Sequence, residues 1–273
     1  MNVWQPTAPC TPTACIDAAG RAAALPRAVL RLAAVVALML AAVLALPLGR
    51  RIPADAIRWW CRTLVRAAGV RTAVTGAAPA TGGLLLVANH ISWLDIPLLA
   101  AVRPARMLAK TEIRHWPVAG ALAARGGTLF IDRDRLSALP GTVAGLADAL
   151  RDGAAVGVFP EGSTWCGRAQ GTFRRAAFQA ALDAGAAVQP VRLHYRVTDG
   201  PATTAPAYIG EDSLVASLWR VVTTRGLIAE VEVRPLIPPG THPDRRALAR
   251  AAQPGRVGAP HWPHTALIAT DRG

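Results

Sequence analysis

An α/β domain behind an N-terminal membrane-anchoring helical segment is the fold class this sequence predicts. Three observations carry it: an uncharged apolar stretch near the start, short apolar runs alternating with helical periodicity beyond residue 70, and polar residues gathered just after those runs. The chain has 273 residues, 52% of them apolar and only 17% charged, which suits one large domain with appended segments and argues against intrinsic disorder.

Residues 1–25, rich in Pro, Thr and Ala, read as a flexible leader. From 32 to 49 no residue is charged. At 1.5 Å per residue this run spans roughly 27 Å, slightly less than a bilayer core of about 30 Å. It either crosses the bilayer or enters one leaflet as a re-entrant element. A cleaved signal peptide fits less well, because the leader is long and no small-x-small site follows the run. Arginines on both flanks, Arg21, Arg27 and Arg31 before and Arg50 and Arg51 after, leave the orientation open. Between 54 and 68, Ile57, Trp60, Cys61, Leu64 and Ala68 recur at helical spacing while Arg58, Arg62 and Arg66 line another face. This amphipathic helix either lies in the headgroup layer or packs on the domain. Residues 26–68 thus form an anchor plus an interfacial helix.

The main domain covers 69–238. Strands are expected at 84–87, 128–131, 156–159, 188–193 and 230–236, and helices at 96–101, 139–150 and 173–184, the last stopped by Gly185. From 239 to 273 Pro, Gly and Arg return without periodicity, so a loosely ordered tail is expected.

The formal charge of +13 attracts polyanions, yet Lys110 is the sole lysine and the arginines are scattered. No recognition helix, zinc finger or stacking platform accompanies them, so nucleic acid is not an expected partner. An anionic membrane surface or an acidic substrate carrier uses such charge. Cys10, Cys15, Cys61 and Cys166 make no CxxC pair and no zinc spacing, which points to a reduced, cytosol-facing protein without a metal.

Polar residues cluster after three predicted strands: Asn89, His90 and Asp95, then Asp132 and Arg133, then Glu161, Gly162 and Ser163. In open α/β sheets such loops converge on one edge, where sites form. In the string ANHISWLD at 88–95, an imidazole can take a proton from a hydroxyl while a carboxylate on its other nitrogen fixes the tautomer. Positions five apart on a helix point roughly 140° apart. The pair must therefore straddle a loop and a helix start, which Pro97 sets near Asp95. The competing reading is a capped helix start, with Asp95 as N-cap or Ser92 and Asp95 as a capping box.

The order of four strings goes further. NHISWLD, GGTLFIDR at 126–133, FPEGST at 159–164 and VQPVRL at 188–193 resemble, in order and spacing, the four motifs of the glycerolipid acyltransferase family typified by bacterial 1-acylglycerol-3-phosphate acyltransferase. The segments AKTE at 109–112 and PVAG at 117–120 are similar to the family's linking region. The resemblance covers about residues 70 to 200 and implies a mixed sheet flanked by helices. It implies that His90 is general base on an acceptor hydroxyl, oriented by Asp95, and that the hydroxyl oxygen attacks the thioester of acyl-CoA or acyl carrier protein. No cofactor and no metal is needed. Arg133, Glu161 and Gly162 fall on family positions that hold glycerol phosphate, and Ser163 and Lys110 complete the expected substrate-binding set. The implied acceptor is 1-acylglycerol-3-phosphate, the product phosphatidate, the partner membrane lipid, and the location a membrane, with the site on the cytoplasmic face of the inner membrane.

Thr164 departs from the pattern, because the family's third motif usually carries an arginine there. Arg168, Arg174 or Arg175 are the cations that can substitute, and a lyso-ornithine lipid is the alternative acceptor. An acyl thioesterase or hydrolase would use water in place of the lipid hydroxyl. A serine hydrolase is disfavoured by the lack of a G-x-S-x-G elbow. A non-catalytic lipid-binding protein is the third class, disfavoured by the presence of both His90 and Asp95.

Overall fold

In a computed structural model the described residues are 8–17, 25–116, 119–132 and 135–253. Seven strands form one mixed sheet: β1 (Arg71–Thr75), β2 (Leu84–Ala88), β3 (Arg106–Lys110), β4 (Leu129–Ile131), β5 (Ala155–Val158), β6 (Ala187–Val197) and β7 (Leu227–Val233), in the spatial order β1-β7-β6-β2-β5-β3-β4. From β6 to β4 all pairings are parallel; β7 runs antiparallel to β6 and carries β1 parallel to itself. The centre is β2, Leu-Leu-Leu-Val-Ala, with every residue buried. Its unbroken apolar run matches a parallel strand covered on both faces.

The two faces of β2 seed two core layers. Leu84, Leu86 and Ala88 pack with Leu64, Val65, Leu98 and Val221, which belong to helices α3 (Ala54–Ala67), α4 (Asp95–Val102) and α8 (Leu214–Thr223). Leu85 and Val87 pack with Leu146, Phe178 and Leu248 of α6 (Leu139–Arg151), α7 (Ala176–Ala184) and α9 (Arg245–Ala252). The expected strands and helices all occur, with ends shifted by at most four residues. The strand expected at 188–193 extends to Val197, which matters below.

Strands β1 and β3 and helices α5 (Ala119–Arg125), α8 and α9 are additional. Residues 239–253 were expected to be loose, and there the structure differs. Asp244 caps α9 by accepting from the N–H groups of Arg246 and Ala247 at 2.7 and 2.8 Å, and Leu248, Ala249 and Ala252 are buried. Three apolar residues on one side of a short helix suffice to dock it. Residues 254–273 lie outside the described residues.

The leader also differs from expectation where it is described. Residues 8–17 carry one helical turn, α1 (Pro12–Cys15), and Asp17 fastens it: its carboxylate accepts from Arg168 at 2.6 Å and from the Thr204 N–H at 2.8 Å. Helix α2 (Leu25–Ala45) then runs along the domain. Only Ala28 and Val35 of α2 are buried. Arg31 donates to the carbonyls of Val222 and Thr224 at 2.9 and 3.0 Å, giving partners to carbonyls at the C-terminal end of α8 and its cap, and Trp60 of α3 donates to the Leu38 carbonyl at 3.2 Å. Helix α3 buries Cys61, Leu64 and Val65 and leaves Trp59 exposed.

Candidate functional site

The parallel strands β2, β5 and β6 place their C-terminal ends along one edge, and the loops there meet around His90. Asp95, the first residue of α4, is fully buried. Its Oδ2 lies 2.8 Å from His90 Nδ1 and accepts from the Ile91 and Ser92 N–H groups at 2.6 and 2.8 Å. Its Oδ1 accepts from the Tyr195 hydroxyl at 2.6 Å. A carboxylate on which these donors converge acts as acceptor toward the ring as well, so in the neutral imidazole the hydrogen belongs on Nδ1 and the lone pair on Nε2. The Ser92 bond is one half of a capping box; the helix start and the His–Asp pair are one structure.

The ring of His90 is held from a second side. Phe159, at the end of β5, stacks on it with centroids 4.0 Å apart and planes inclined by 12°. Its main chain is paired in both directions with the following loop: the His90 N–H donates to Glu161 Oε2 at 2.7 Å, and the His90 carbonyl accepts from the Trp165 N–H at 2.8 Å. Asn89 adds a third tie, its side chain donating to the Leu193 carbonyl at 3.0 Å and accepting from the Leu193 N–H at 2.8 Å. An amide side chain thus continues the ladder between β2 and β6 one residue past its end.

Glu161 is buried, and both its oxygens face the protein, Oε1 accepting from the Gly171 N–H at 2.9 Å. Burial pushes its carboxyl up to about 8, the two backbone donors pull it down, and the charge of Asp95 adds to the rise. The carboxylate that the resemblance assigns to substrate here sets the position of His90. Gly162 follows with φ +77°, a left-handed conformation that costs an L side chain roughly 1–2 kcal/mol. Ser163 is half-buried in the same turn. Lys110 ends β3, exposed, its backbone paired with Ile131. Arg133 lies outside the described residues.

Beside His90 opens a cavity lined by Asn89, Glu161, Trp165, Gln170, Arg192 and His194. Arg192 lies 3.9 Å from Glu232, a loose pairing, and burial pulls the His194 imidazole down. Trp165 is packed so closely that a Cβ on Gly171 would meet its indole nitrogen at 2.6 Å. Tyr195 was not among the expected site residues. Its signal is the alternation of Val191, Leu193 and Tyr195 on the buried face of β6: a tyrosine at a core position needs a partner for its hydroxyl. Burial and the Asp95 charge push its phenol well above the usual range, so it stays a donor.

Residues 71–194 match the model of the Acyltransferase family. The chain is 43% identical over 201 residues to the lyso-ornithine lipid O-acyltransferase of Pseudomonas aeruginosa, covering 72% of this chain and 74% of that protein. It is 37% identical over 166 residues to the 1-acyl-sn-glycerol-3-phosphate acyltransferase of Neisseria gonorrhoeae, covering 61% of this chain and 65% of that one. Among solved structures, the 1-acyl-sn-glycerophosphate acyltransferase PlsC from Thermotoga maritima superposes with a TM-score of 0.57 at 19% identity, over 73% of this chain and 74% of that one. At that identity the likeness speaks for the fold.

Proposed function

The chain belongs to the glycerolipid acyltransferase family and acts as an acyltransferase on lysolipids, and from this premise we propose that it moves an acyl chain from acyl-CoA or acyl carrier protein onto a lysolipid hydroxyl with His90 as the base. The observation that carries the role of His90 is its ring, fixed by Asp95 on Nδ1 and by Phe159 on one face, with Nε2 left to accept. In the proposed reaction Nε2 takes the acceptor's hydroxyl proton as the oxygen attacks the thioester carbonyl. The tetrahedral adduct then expels the thiolate, which recovers that proton from the imidazolium, leaving an ester and a free thiol. Asp95 stabilises the imidazolium between the two steps.

For the acceptor, the motifs point first to 1-acylglycerol-3-phosphate, and two observations favour a lyso-ornithine lipid instead. One is the 43% identity to an enzyme named for that lipid. The other is Thr164, which removes a guanidinium from the position where a phosphate-binding arginine is expected, and an ornithine head group carries an ammonium and a carboxylate in place of phosphate. Similarity to the 1-acylglycerol-3-phosphate enzymes keeps that lipid as the second substrate to test.

The enzyme works at a membrane surface in this reading. Val29, Leu30, Val36, Leu40 and Leu44 on the outer side of α2, with Trp59 of α3 and Val215 and Trp219 of α8, are exposed large apolar side chains. Segments on both sides of α2 contact the same domain, Asp17 at Thr204 and Leu64 in the core, whereas a single crossing would separate them. This supports α2 lying in one leaflet. The thioester donors are cytoplasmic, which supports placing the site on that face.

The test uses membranes carrying the protein or its His90→Ala form, labelled acyl-CoA or acyl carrier protein, and each lysolipid in turn. Diacyl product that depends on His90, greater with lyso-ornithine lipid than with 1-acylglycerol-3-phosphate, is expected. Free fatty acid alone would indicate a hydrolase, and equal product from His90→Ala membranes would remove the base from the mechanism.

A further inference from the structure

Acyl transfer leaves unused a second group of reactive side chains. Cys10 and Cys15 of the leader and Cys166, directly after Trp165, bring their sulfurs within 4.8 Å of one another. Cys10 and Cys166 are buried and Cys15 is half-buried. No close cysteine motif announces this group, because its third member comes from the other end of the chain and arrives only through folding. We propose that Cys10, Cys15 and Cys166 form a structural site for a closed-shell thiophilic cation, zinc(II) or copper(I), which fastens the N-terminal segment to the loop bordering the acyl-transfer cleft.

The geometry supports three ligands to one ion. Metal–sulfur bonds of about 2.3 Å put sulfurs roughly 3.8 Å apart in a tetrahedral set and roughly 4.0 Å apart in a trigonal one. Contraction from 4.8 Å at most is within the range of small side-chain rotations. Other contacts also seat the leader: Asp17 holds Arg168 and Thr204, and Pro12 lies against Gly210, where a Cβ would meet it at 3.4 Å. A preformed thiol triangle loses little freedom on closing around a cation.

The sulfur of Cys166 receives hydrogen bonds from the Arg168 and Ala169 N–H groups. Backbone donors of this kind outside the ligand set are a recurrent support for metal-bound sulfur. Zinc binding to three thiols would release three protons and leave a single negative charge on the site. A disulfide would use two of the sulfurs and leave the third stranded at the same point, which is why a shared cation is the better account of three.

The position gives the site a consequence. Gly167, Ala169 and Gln170, which follow Cys166, line the cavity beside His90. Holding Cys166 holds that wall, without contact between the ion and the reacting atoms.

The full-length protein, purified without chelator and under argon, is assayed by elemental mass spectrometry and thiol titration. About one zinc or copper per chain is expected, its identity deciding between the two, and cobalt(II) exchange is expected to add thiolate-to-metal charge-transfer absorption. Cys166→Ser and the double variant Cys10→Ser/Cys15→Ser are expected to lose the ion, while Cys61→Ser, whose sulfur sits in α3, keeps it. Chelation is expected to raise amide exchange in residues 8–17 in the wild type and to change nothing in the double variant, a comparison that stands even if Cys166→Ser does not fold. A wild-type protein that takes up neither zinc nor copper(I) when reduced overturns the proposal. So does a metal-free protein in which mass spectrometry finds two of these cysteines joined as a disulfide.

Discussion

The hydroxyl of Tyr195, on β6, donates to Oδ1 of Asp95, on α4, at 2.6 Å, so that a residue a hundred positions downstream completes the environment of the His90 partner. Replacing it tests positioning apart from chemistry. Tyr195→Phe leaves a buried carboxylate oxygen without a donor, which costs on the order of 1–3 kcal/mol. We expect a lower melting temperature and a fall in kcat of roughly tenfold, with KM for the thioester donor unchanged. A change in KM with kcat intact would show that Tyr195 shapes binding instead.

Glu161 yields a pH signature. Its folded-state pKa is raised from 4.5 to about 8, so the protonated form is favoured in the folded protein. The sign follows: this contribution is fully present below about 4.5, declines as pH rises, and is lost once pH passes about 8. Glu161→Gln mimics the protonated form and removes the titration. The stability difference between variant and wild type should therefore shift in the variant's favour from pH 6 to pH 9, read by thermal melts across that range. Parallel curves would show that Glu161 does not titrate there.

Gly162→Ala tests the turn that carries Glu161. At φ +77° the added methyl should destabilise the protein by roughly 1–2 kcal/mol and displace the Glu161 carboxylate from the His90 N–H. Lower activity at a temperature where the variant is fully folded is the expected result. Activity equal to wild type under those conditions would separate the turn from the site.

Membrane docking has its own readout. Leu40 is 58% exposed on α2 and Trp59 64% exposed on α3. A charged residue in a bilayer core costs about 2.5–3.5 kcal/mol on insertion scales, so Leu40→Arg should weaken vesicle binding roughly a hundredfold in flotation assays. Trp59→Ser should weaken it less, because an interfacial indole contributes less than a buried charge costs. Unchanged flotation of Leu40→Arg would mean that another surface meets the lipid.

Much of this molecule is legible from its order of residues, for identifiable reasons. The runs Leu84-Leu85-Leu86-Val87 and Ala155 to Val158 announce buried central strands because both faces must be apolar. The edge strand β1, Arg-Thr-Ala-Val-Thr, is exposed at every residue, so no hydrophobic pattern marks it. The His90–Asp95 pair is legible only together with the later strings: spacing and Pro97 leave a capped helix start equally open, and the ordered resemblance at 126–133, 159–164 and 188–193 favours the pair. Tyr195 and the thiol group around Cys166 are not legible, since each depends on contacts between distant parts of the chain. Glu161 is legible as a site residue through the resemblance, whereas its bonds to the His90 and Gly171 N–H groups depend on how the loops fold.

The ties that position His90 against the neighbouring loop run through main-chain groups of His90, Trp165 and Gly171 and the carboxyl group of Glu161, and none of these bonds uses the side chain at 164. In the proposed mechanism, threonine in place of the expected arginine at 164 alters which head group the cleft accepts and leaves the fixing of His90 intact. On that mechanism, the choice of head group along this loop and proton transfer at His90 are separable properties of one cleft.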